Sequence, residues 1–484
     1  MILRVVLIVL FTSFSLMTTH KRSCSKYEHQ HRGRPNLDTS ILSPSQHFKI
    51  YYDKTGEHAA TDSYANDVAE FADQVRDVIV NDLGFLSELD DQYGDPDIYD
   101  IYIQDLGAYN YGYHIPDINL DLSSSSYILI DNEFEEGEYY TTGLKAMKLT
   151  LAHEFFHAIQ LAYREKSAGE DEYFYEMMGT WMEDIIVPDG NDYIHWVDID
   201  DNINDEKEPF FINPEMSMTA SNGYSIALFA HYLNNVYSNG NTAIIREIWE
   251  EIAILGYTCG IDCGLNSINN VLLDNYNVNF EEAWNDFTSR LFFNGSNDYG
   301  NNLFFHEDQM DIISLSTYLP NPENINVGEI FFTIDLNNVS SKYKLYETNS
   351  FGVLSFEYEN VASSEFVDNI SVISQESSLL NQHLNDLSSV YVDEDDIIVF
   401  TSSSSSNELS LNVKINYSND LTLFELEGDC SLDGVRNIQD IILMIEFLLY
   451  NTNFNSIQFE NADMNNDNSI NIFDVILLIE LILD

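Results

Sequence analysis

Leu149-Thr150-Leu151-Ala152-His153-Glu154-Phe155-Phe156-His157-Ala158-Ile159-Gln160 is the stretch on which the reading of this chain turns. Its apolar residues recur at helical intervals, and the pattern predicts one helix over residues 144–163. His153 and His157 stand at i and i+4, so both imidazoles project from one helix face and can reach a single ion. Ala146, Thr150 and Gln160 share that face, whereas Met147, Leu151, Phe155 and Ala158 lie on the face expected to pack inward. The histidines thus sit on the less apolar side, where a cleft is expected. Glu154 lies between them as the general base that an HExxH metal site needs.

Upstream, Phe48-Lys-Ile-Tyr-Tyr52 alternates like a strand and marks the expected start of regular structure. Asp62 or Ser63 offers a helix N-cap, Val68, Phe71, Val75 and Val78 follow at helical spacing, and Gly84 stands where a terminating glycine belongs. Residues 98–103 and 127–130 read as further strands. The order strand–helix–strand–strand–helix is α+β, and helical patterning continues to about residue 294.

A second helix is expected across Phe174-Tyr-Glu176-Met-Met-Gly-Thr180-Trp181-Met-Glu183-Asp184. Glu176, 19 residues beyond His157, can complete a two-histidine, one-carboxylate site with an open fourth position, the catalytic form of zinc. Its apolar surroundings favour it, since a carboxylate amid Met177, Met178 and Trp181 needs a partner. Glu165, Glu170, Asp171 and Glu172 are the competing carboxylates. Over residues 45–295 this arrangement resembles the gluzincin metallopeptidases, the thermolysin-like group in which HExxH is followed by a helix bearing the ligand glutamate. Many gluzincins carry an acid four residues after that glutamate to orient a histidine. Here Thr180 holds that position, and Glu183 or Asp184 is expected in the orienting role. Tyr224 resembles the downstream tyrosine that stabilises the oxyanion in some members, and His231, seven residues later, is the other candidate donor. His195, beside Trp196, is a possible lining residue of the cleft.

From about residue 301 to 416 the texture changes. Short apolar runs such as Glu329-Ile-Phe-Phe-Thr-Ile334, Gly352-Val-Leu-Ser-Phe-Glu-Tyr358 and Asp396-Ile-Ile-Val-Phe-Thr401 alternate with Asn/Ser-rich turns. This predicts a β-sandwich, with residues 402–406, all serine, as a hairpin loop. Of the four cysteines, Cys24, Cys259, Cys263 and Cys430, the pair Cys259 and Cys263 is spaced for a tight loop staple or stands as two free thiols, and Cys24 follows Lys-Arg-Ser rather than a small-residue lipobox.

The end of the chain repeats with a period of 34 residues. Asp429, Ser431, Asp433, Asn437 and Asp440 supply oxygens at loop positions 1, 3, 5, 9 and 12, with the Val435 carbonyl at 7. Asp463, Asn465, Asp467, Asn471 and Asp474 do the same in the second copy, with the Ser469 carbonyl. Such a set suits a hard, highly coordinated calcium ion. An apolar helix is expected after each loop and none before. The duplicated loop–helix unit resembles a dockerin over the last 58 residues, which implies two Ca2+ and a cohesin-like partner. Loop positions 10 and 11 depart from the Ser/Thr of many cellulosomal dockerins, being Ile438-Gln439 and Ile472-Phe473. A different surface protein, or packing against the β-domain, is the other option.

The chain holds 81 acids against 20 bases, a net charge of −61. Such a charge opposes binding to nucleic-acid phosphates or anionic lipid. The first 37 residues differ: six bases and one acid give +5, so the remainder carries −66. Arg4 followed by Val5-Val-Leu-Ile-Val-Leu-Phe11 reads as a secretory signal over 1–20, ahead of a basic segment over 21–40. No membrane span is expected in the mature chain.

The expected organisation is an α+β multidomain protein: a gluzincin-like metallopeptidase domain over 41–300, a β-sandwich over 301–425 and a small all-α, calcium-loop dockerin-like module over 426–484. The expected function is a secreted or cell-surface zinc metallopeptidase. It would cleave proteins or peptides with one catalytic Zn2+ and Glu154 as base, docked through its last module. The rivals are a non-catalytic surface-binding or adhesion protein that keeps the fold, and a zinc hydrolase acting on a non-peptide amide.

Overall fold

A computed structural model describes residues 34–483 except 92, 108–109, 118–124, 138, 165–170, 199–213, 216, 221–222, 260–261, 295–296, 298–302, 307–319, 360–365, 374–378, 385–388, 405–407, 421–425, 433–434, 451–453 and 455. The expected signal and Cys24 lie outside the described residues.

The first unit comprises β1 (Thr39–Leu42), β2 (Phe48–Tyr52), α1 (Asp62–Arg76), β3 (Tyr99–Gln104), β4 (Gly112–Pro116), β5 (Ser126–Asp131) and α2 (Gly143–Tyr163). Among the described residues six α-helices follow: α3 (Glu172–Ile186), α4 (Asp192–Asp198), α5 (Ala227–Tyr232), α6 (Ala243–Leu255), α7 (Cys263–Val271) and α8 (Phe280–Arg290). The sheet order is β1-β2-β3-β5-β4. Its centre is parallel, and the outer pairs β1–β2 and β4–β5 are antiparallel. Regular structure therefore starts earlier than expected, at β1, and β4 is an unpredicted strand. Both are short edge segments whose pairing, not their composition, makes them strands.

The α1 cap is Thr61 rather than Asp62 or Ser63, its side chain accepting from the Tyr64 amide. Asp62 instead accepts from the Tyr52 hydroxyl at 2.7 Å. The helix runs on as a π-helical stretch over Asp77–Asp82, and Gly84 follows at φ +76°. That left-handed conformation strains a side-chain-bearing residue, so the terminating glycine has a physical cause.

α2 is the central strut, with 16 of its 21 residues buried. This departs from the expected one-sided helix. Phe155 packs edge-on against Phe48 and Tyr99 of the sheet. On the other side Phe156 meets Trp249 of α6, which also contacts Phe174 and Tyr175 of α3. Burying aromatic rings of about 150–250 Å² each on both sides of one helix gives it a fixed position. Beyond the opposite sheet face, Arg34 ion-pairs with Asp91, Asp100 and Asp117 at 2.6–2.9 Å, which anchors residue 34 to the domain.

The second unit contains β6 (Glu323–Ile325), β7 (Gly328–Leu336), β8 (Ser340–Thr348), β9 (Gly352–Glu359), β10 (Val367–Ile373), β11 (Leu379–His383), β12 (Val390–Val392), β13 (Ile397–Ser404) and β14 (Leu409–Ser418). They form two sheets, β11-β10-β13-β8-β6 and β12-β9-β14-β7, which share one apolar core. The first half of the serine run corrects the expected hairpin: Ser402, Ser403 and Ser404 belong to β13 and are buried. Small hydroxyl side chains fit there because α8 covers that sheet. Asn285 donates to Ser403 Oγ at 2.7 Å, Trp284 Nε1 to the Ser340 carbonyl, and the Tyr343 hydroxyl to the Thr288 carbonyl.

Asp368 on β10 is 4 % exposed, and burial pushes its carboxyl up to about 7, with the neighbouring Ser402 and Tyr358 hydroxyls offsetting only part of the effect. An unfolded aspartate titrates near 3.9, so the native state holds this proton more tightly and loses stability as pH rises from about 4 through 7, by up to about 4 kcal/mol. Asp368→Asn is therefore expected to raise the melting temperature of the sandwich at pH 8 by clearly more than at pH 5, where only the first part of the cost has accrued. Calorimetric melts at the two pH values in excess calcium check this.

The third unit is helical: α9 (Ile438–Tyr450), α10 (Ser456–Ala462) and α11 (Ile472–Leu483) around a small core that includes Cys430, Met444, Met464, Val475 and Leu478. α10 corrects the expectation that no helix precedes either loop. It is held by tertiary bonds that local sequence does not announce: Gln458 donates to the Cys430 carbonyl and Asn461 to the Asp429 carbonyl. Leu432 and Ile457 of this unit pack against Val353 and Tyr391 of the sandwich. The chain is thus a mixed α/β multidomain protein with an all-helical C-terminal region. Among the described residues no helix is long and apolar enough to cross a membrane.

Candidate metal centre and calcium-type loops

α2 and α3 pack side by side, and Gly179 makes the closest approach. A Cβ there would lie 3.0 Å from His153 Cε1 and 3.1 Å from its Nε2. The missing side chain lets the α3 backbone lie on the imidazole. One turn before and one after, Glu176 and Glu183 both reach the same ring.

His153 Nδ1 is 2.6 Å from Glu183 Oε1, and His157 Nδ1 is 2.7 Å from Gln160 Oε1. Gln160 donates its amide to the Tyr175 carbonyl, so the atom facing His157 is its oxygen. Both partners are acceptors, which places a proton on each Nδ1 and a lone pair on each Nε2. These Nε2 atoms face one another at 3.0 Å. Glu176 Oε2 lies 3.1 Å from the first and 3.5 Å from the second. Its Oε1 is buried without a hydrogen-bond partner.

Three electron-rich atoms thus converge in a buried site, which is repulsive unless a cation lies among them. Tetrahedral zinc with ligands at about 2.0–2.1 Å separates them by about 3.3–3.4 Å. The residues fit such an ion, with Glu183 and Gln160 fixing the tautomers behind it. The expected pairing of Glu183 with a histidine is what the geometry contains. Gln160, on the expected face, has an orienting part that the sequence reading missed.

Glu154 is fully buried on the turn between the histidines, facing β4. A Cβ at Gly112 would fall 2.6 Å from Thr150 Cγ2 and 3.2 Å from Glu154 Cγ, so only glycine allows the β4 backbone this close. Among the described residues β4 is an outer strand of the sheet, and its His114 ring lies 5.9 Å from that of His157. Neither β4 nor His114 was singled out by sequence; the strand has no distinctive pattern.

Tyr224 is brought to the site, its ring 6.0 Å from that of His153. Gly223 allows this, since a Cβ there would strike the Tyr173 carbonyl at 2.2 Å and Glu176 Cβ at 2.5 Å. His231 lies elsewhere, against Asp184, Tyr193 and His306. Burial, reinforced by His306, holds it well below the ordinary imidazole value, so it is neutral. His195 stacks on Tyr140 at 3.7 Å, while the Trp196 side chain lies outside the described residues.

Of the competing carboxylates, Glu165 and Glu170 lie outside the described residues. Glu172 begins α3, one turn before Glu176. Asp171 accepts from the amides of Cys263 and Gly264 at the start of α7, and burial pushes it up to about 6. Cys259 and Cys263 are joined by a disulfide, the staple option.

The two calcium-type loops repeat the same hydrogen bonds. The position-12 carboxylates accept from the amides of positions 3 and 9: Asp440 from Ser431 and Asn437, Asp474 from Asn465 and Asn471. The position-9 side chains accept from the amides of Gln439 and Phe473. Position 4 is left-handed in both, Leu432 at φ +58° and Asn466 at +57°. Asp440 and Asp474 are fully buried, and no cationic side chain among the described residues meets them. Paired buried carboxylates answered only by amides suit a hard divalent cation. Asp433 lies outside the described residues.

Residues 427–483 match the family described as dockerin type I domain. No curated protein matches the chain. The dockerin match supports calcium for the two loops; it leaves the rest of the chain to its geometry.

Proposed function

We propose that the chain is a gluzincin-type zinc metallopeptidase that hydrolyses peptide bonds in proteins or peptides. One observation carries the reading: the Nε2 lone pairs of His153 and His157 converge with Glu176 in a buried site whose tautomers are set from behind. When bound there, zinc supplies a Lewis acid that acidifies water and polarises a carbonyl. Glu154 takes the proton of the attacking water and returns it to the leaving nitrogen. Tyr224 donates to the developing oxyanion. The outer strand β4, backed onto Glu154 through Gly112, offers backbone to an extended peptide and aligns it across the site.

The dockerin region directs the enzyme to a cohesin-bearing partner, in keeping with an extracellular or cell-surface setting. Its recognition surface is apolar: Ile438, Ile472 and Phe473, at loop positions 10 and 11, and Leu449 are 57–71 % exposed. Apolar residues where many relatives carry Ser/Thr favour a partner with an apolar counterpart patch. The sandwich contact through Leu432 and Ile457 leaves these positions open.

The test is a mixed peptide library incubated with the purified full chain. Cleavage between residues is expected, lost with a zinc chelator in excess calcium and restored by added zinc. Release of products from non-peptide amides alone would instead support the alternative zinc hydrolase, and binding without turnover the adhesion protein.

A further inference from the structure

Asp184, His231 and His306 come from α3, α5 and the segment after α8, and they meet behind the site described above. Asp184 Oδ2 lies 3.9 Å from His231 Nε2 and 3.8 Å from His306 Nε2. The two imidazole rings are 4.4 Å apart, and one donor atom from each residue lies within 4.8 Å of the other two. His231 is 2 % exposed, and the side chain of His306 is 12 % exposed. The Nε2 atoms of both are buried without a hydrogen-bond partner. Tyr193 closes the cluster, its ring 5.0 Å from that of His231 and stacked parallel to that of His306.

Separations of 3.8–3.9 Å are too long for hydrogen bonds and leave a gap between the donors. An ion with ligands at about 2.0–2.2 Å spaces them by about 3.3–3.8 Å as its angles open from tetrahedral to trigonal. We propose that Asp184, His231 and His306 form a second metal site, for a divalent ion of the zinc class, distinct from that of His153, His157 and Glu176. Two imidazoles and one carboxylate select zinc-like ions over calcium or magnesium.

The two sites are neighbours without being one. Glu183 turns to His153, and the next residue, Asp184, projects about 100° around the helix toward α5. An ion here fastens residue 306, near the start of the sandwich region, to the helix that carries Glu176 and Glu183. Its part is to hold α3, α5 and the inter-domain segment in place.

The test uses the full chain, stripped of metal, reloaded with zinc in excess calcium so that the dockerin loops are filled, desalted and assayed for metal. Two zinc ions per chain are expected in the wild type, one in His306→Gln and one in His153→Gln. A single zinc lost in His153→Gln but kept in His306→Gln overturns this proposal and leaves the first site standing. A single zinc with the reverse pattern supports this site and removes the metal of the proposed peptidase. Circular dichroism establishes that His306→Gln is folded. A readout that needs no variant is the anomalous map of wild-type crystals at the zinc edge. A peak between the three side chains supports the site, and its absence overturns it.

Discussion

Glu154→Gln is expected to lower peptide hydrolysis by about 10²–10⁴-fold, the usual contribution of a positioned general base, with zinc content at the wild-type level. Glutamine has the shape of glutamate, so the contact of this residue with the β4 backbone at Gly112 survives the change. It lacks only the basic oxygen. The ligand atoms of His153, His157 and Glu176 are untouched, and the bonds of Glu183 and Gln160 that fix the histidine tautomers do not involve residue 154. Steady-state kinetics beside metal analysis check the prediction. Unchanged cleavage in a zinc-loaded variant would remove Glu154 from the mechanism, and with it the hydrolytic route proposed for this chain.

Loss of the position-12 carboxylates is expected to be as large an effect in the dockerin region. Asp440→Ala and Asp474→Ala together should abolish calcium binding, from two ions per chain to none, and each alone should remove one. Each change deletes a ligand and also leaves two loop amides without their acceptor, at about 1–3 kcal/mol apiece when buried. A region with so small an apolar core has little else to oppose that cost. The helical signal of α9 and α11 should fall in the double variant, and docking to a cohesin should be lost with it. Calorimetry counts the ions and far-UV circular dichroism follows the helices. Full calcium stoichiometry in the double variant would refute the ligand assignment.

What could be read without the structure was whatever depends on local spacing. The i, i+4 histidines, the helical run around Glu176 and the 34-residue repeat are short-range patterns, set by the geometry of one helix or one loop. The strands Phe48–Tyr52, β3 and β5 were legible because their apolar runs are buried by the sheet. β1, β4 and α10 were not, since each exists through bonds to a distant partner.

The same division runs through the sites. Spacing alone determined that His153, Glu154 and His157 share a helix and that two loops repeat a calcium ligand pattern, while Glu176 was one of several carboxylates downstream, favoured by its apolar neighbours. Only the tertiary structure decided that Gln160 and Glu183 stand behind the histidines, and that Gly112 and Gly179 let backbone close on the site. It alone drew Tyr224 toward His153 while turning His231 away to Asp184 and His306. Helical periodicity states which residues of one segment face the same way. Which segments then face each other is settled by packing across the whole core, and residues 184, 231 and 306 have no periodic relation through which sequence could have joined them.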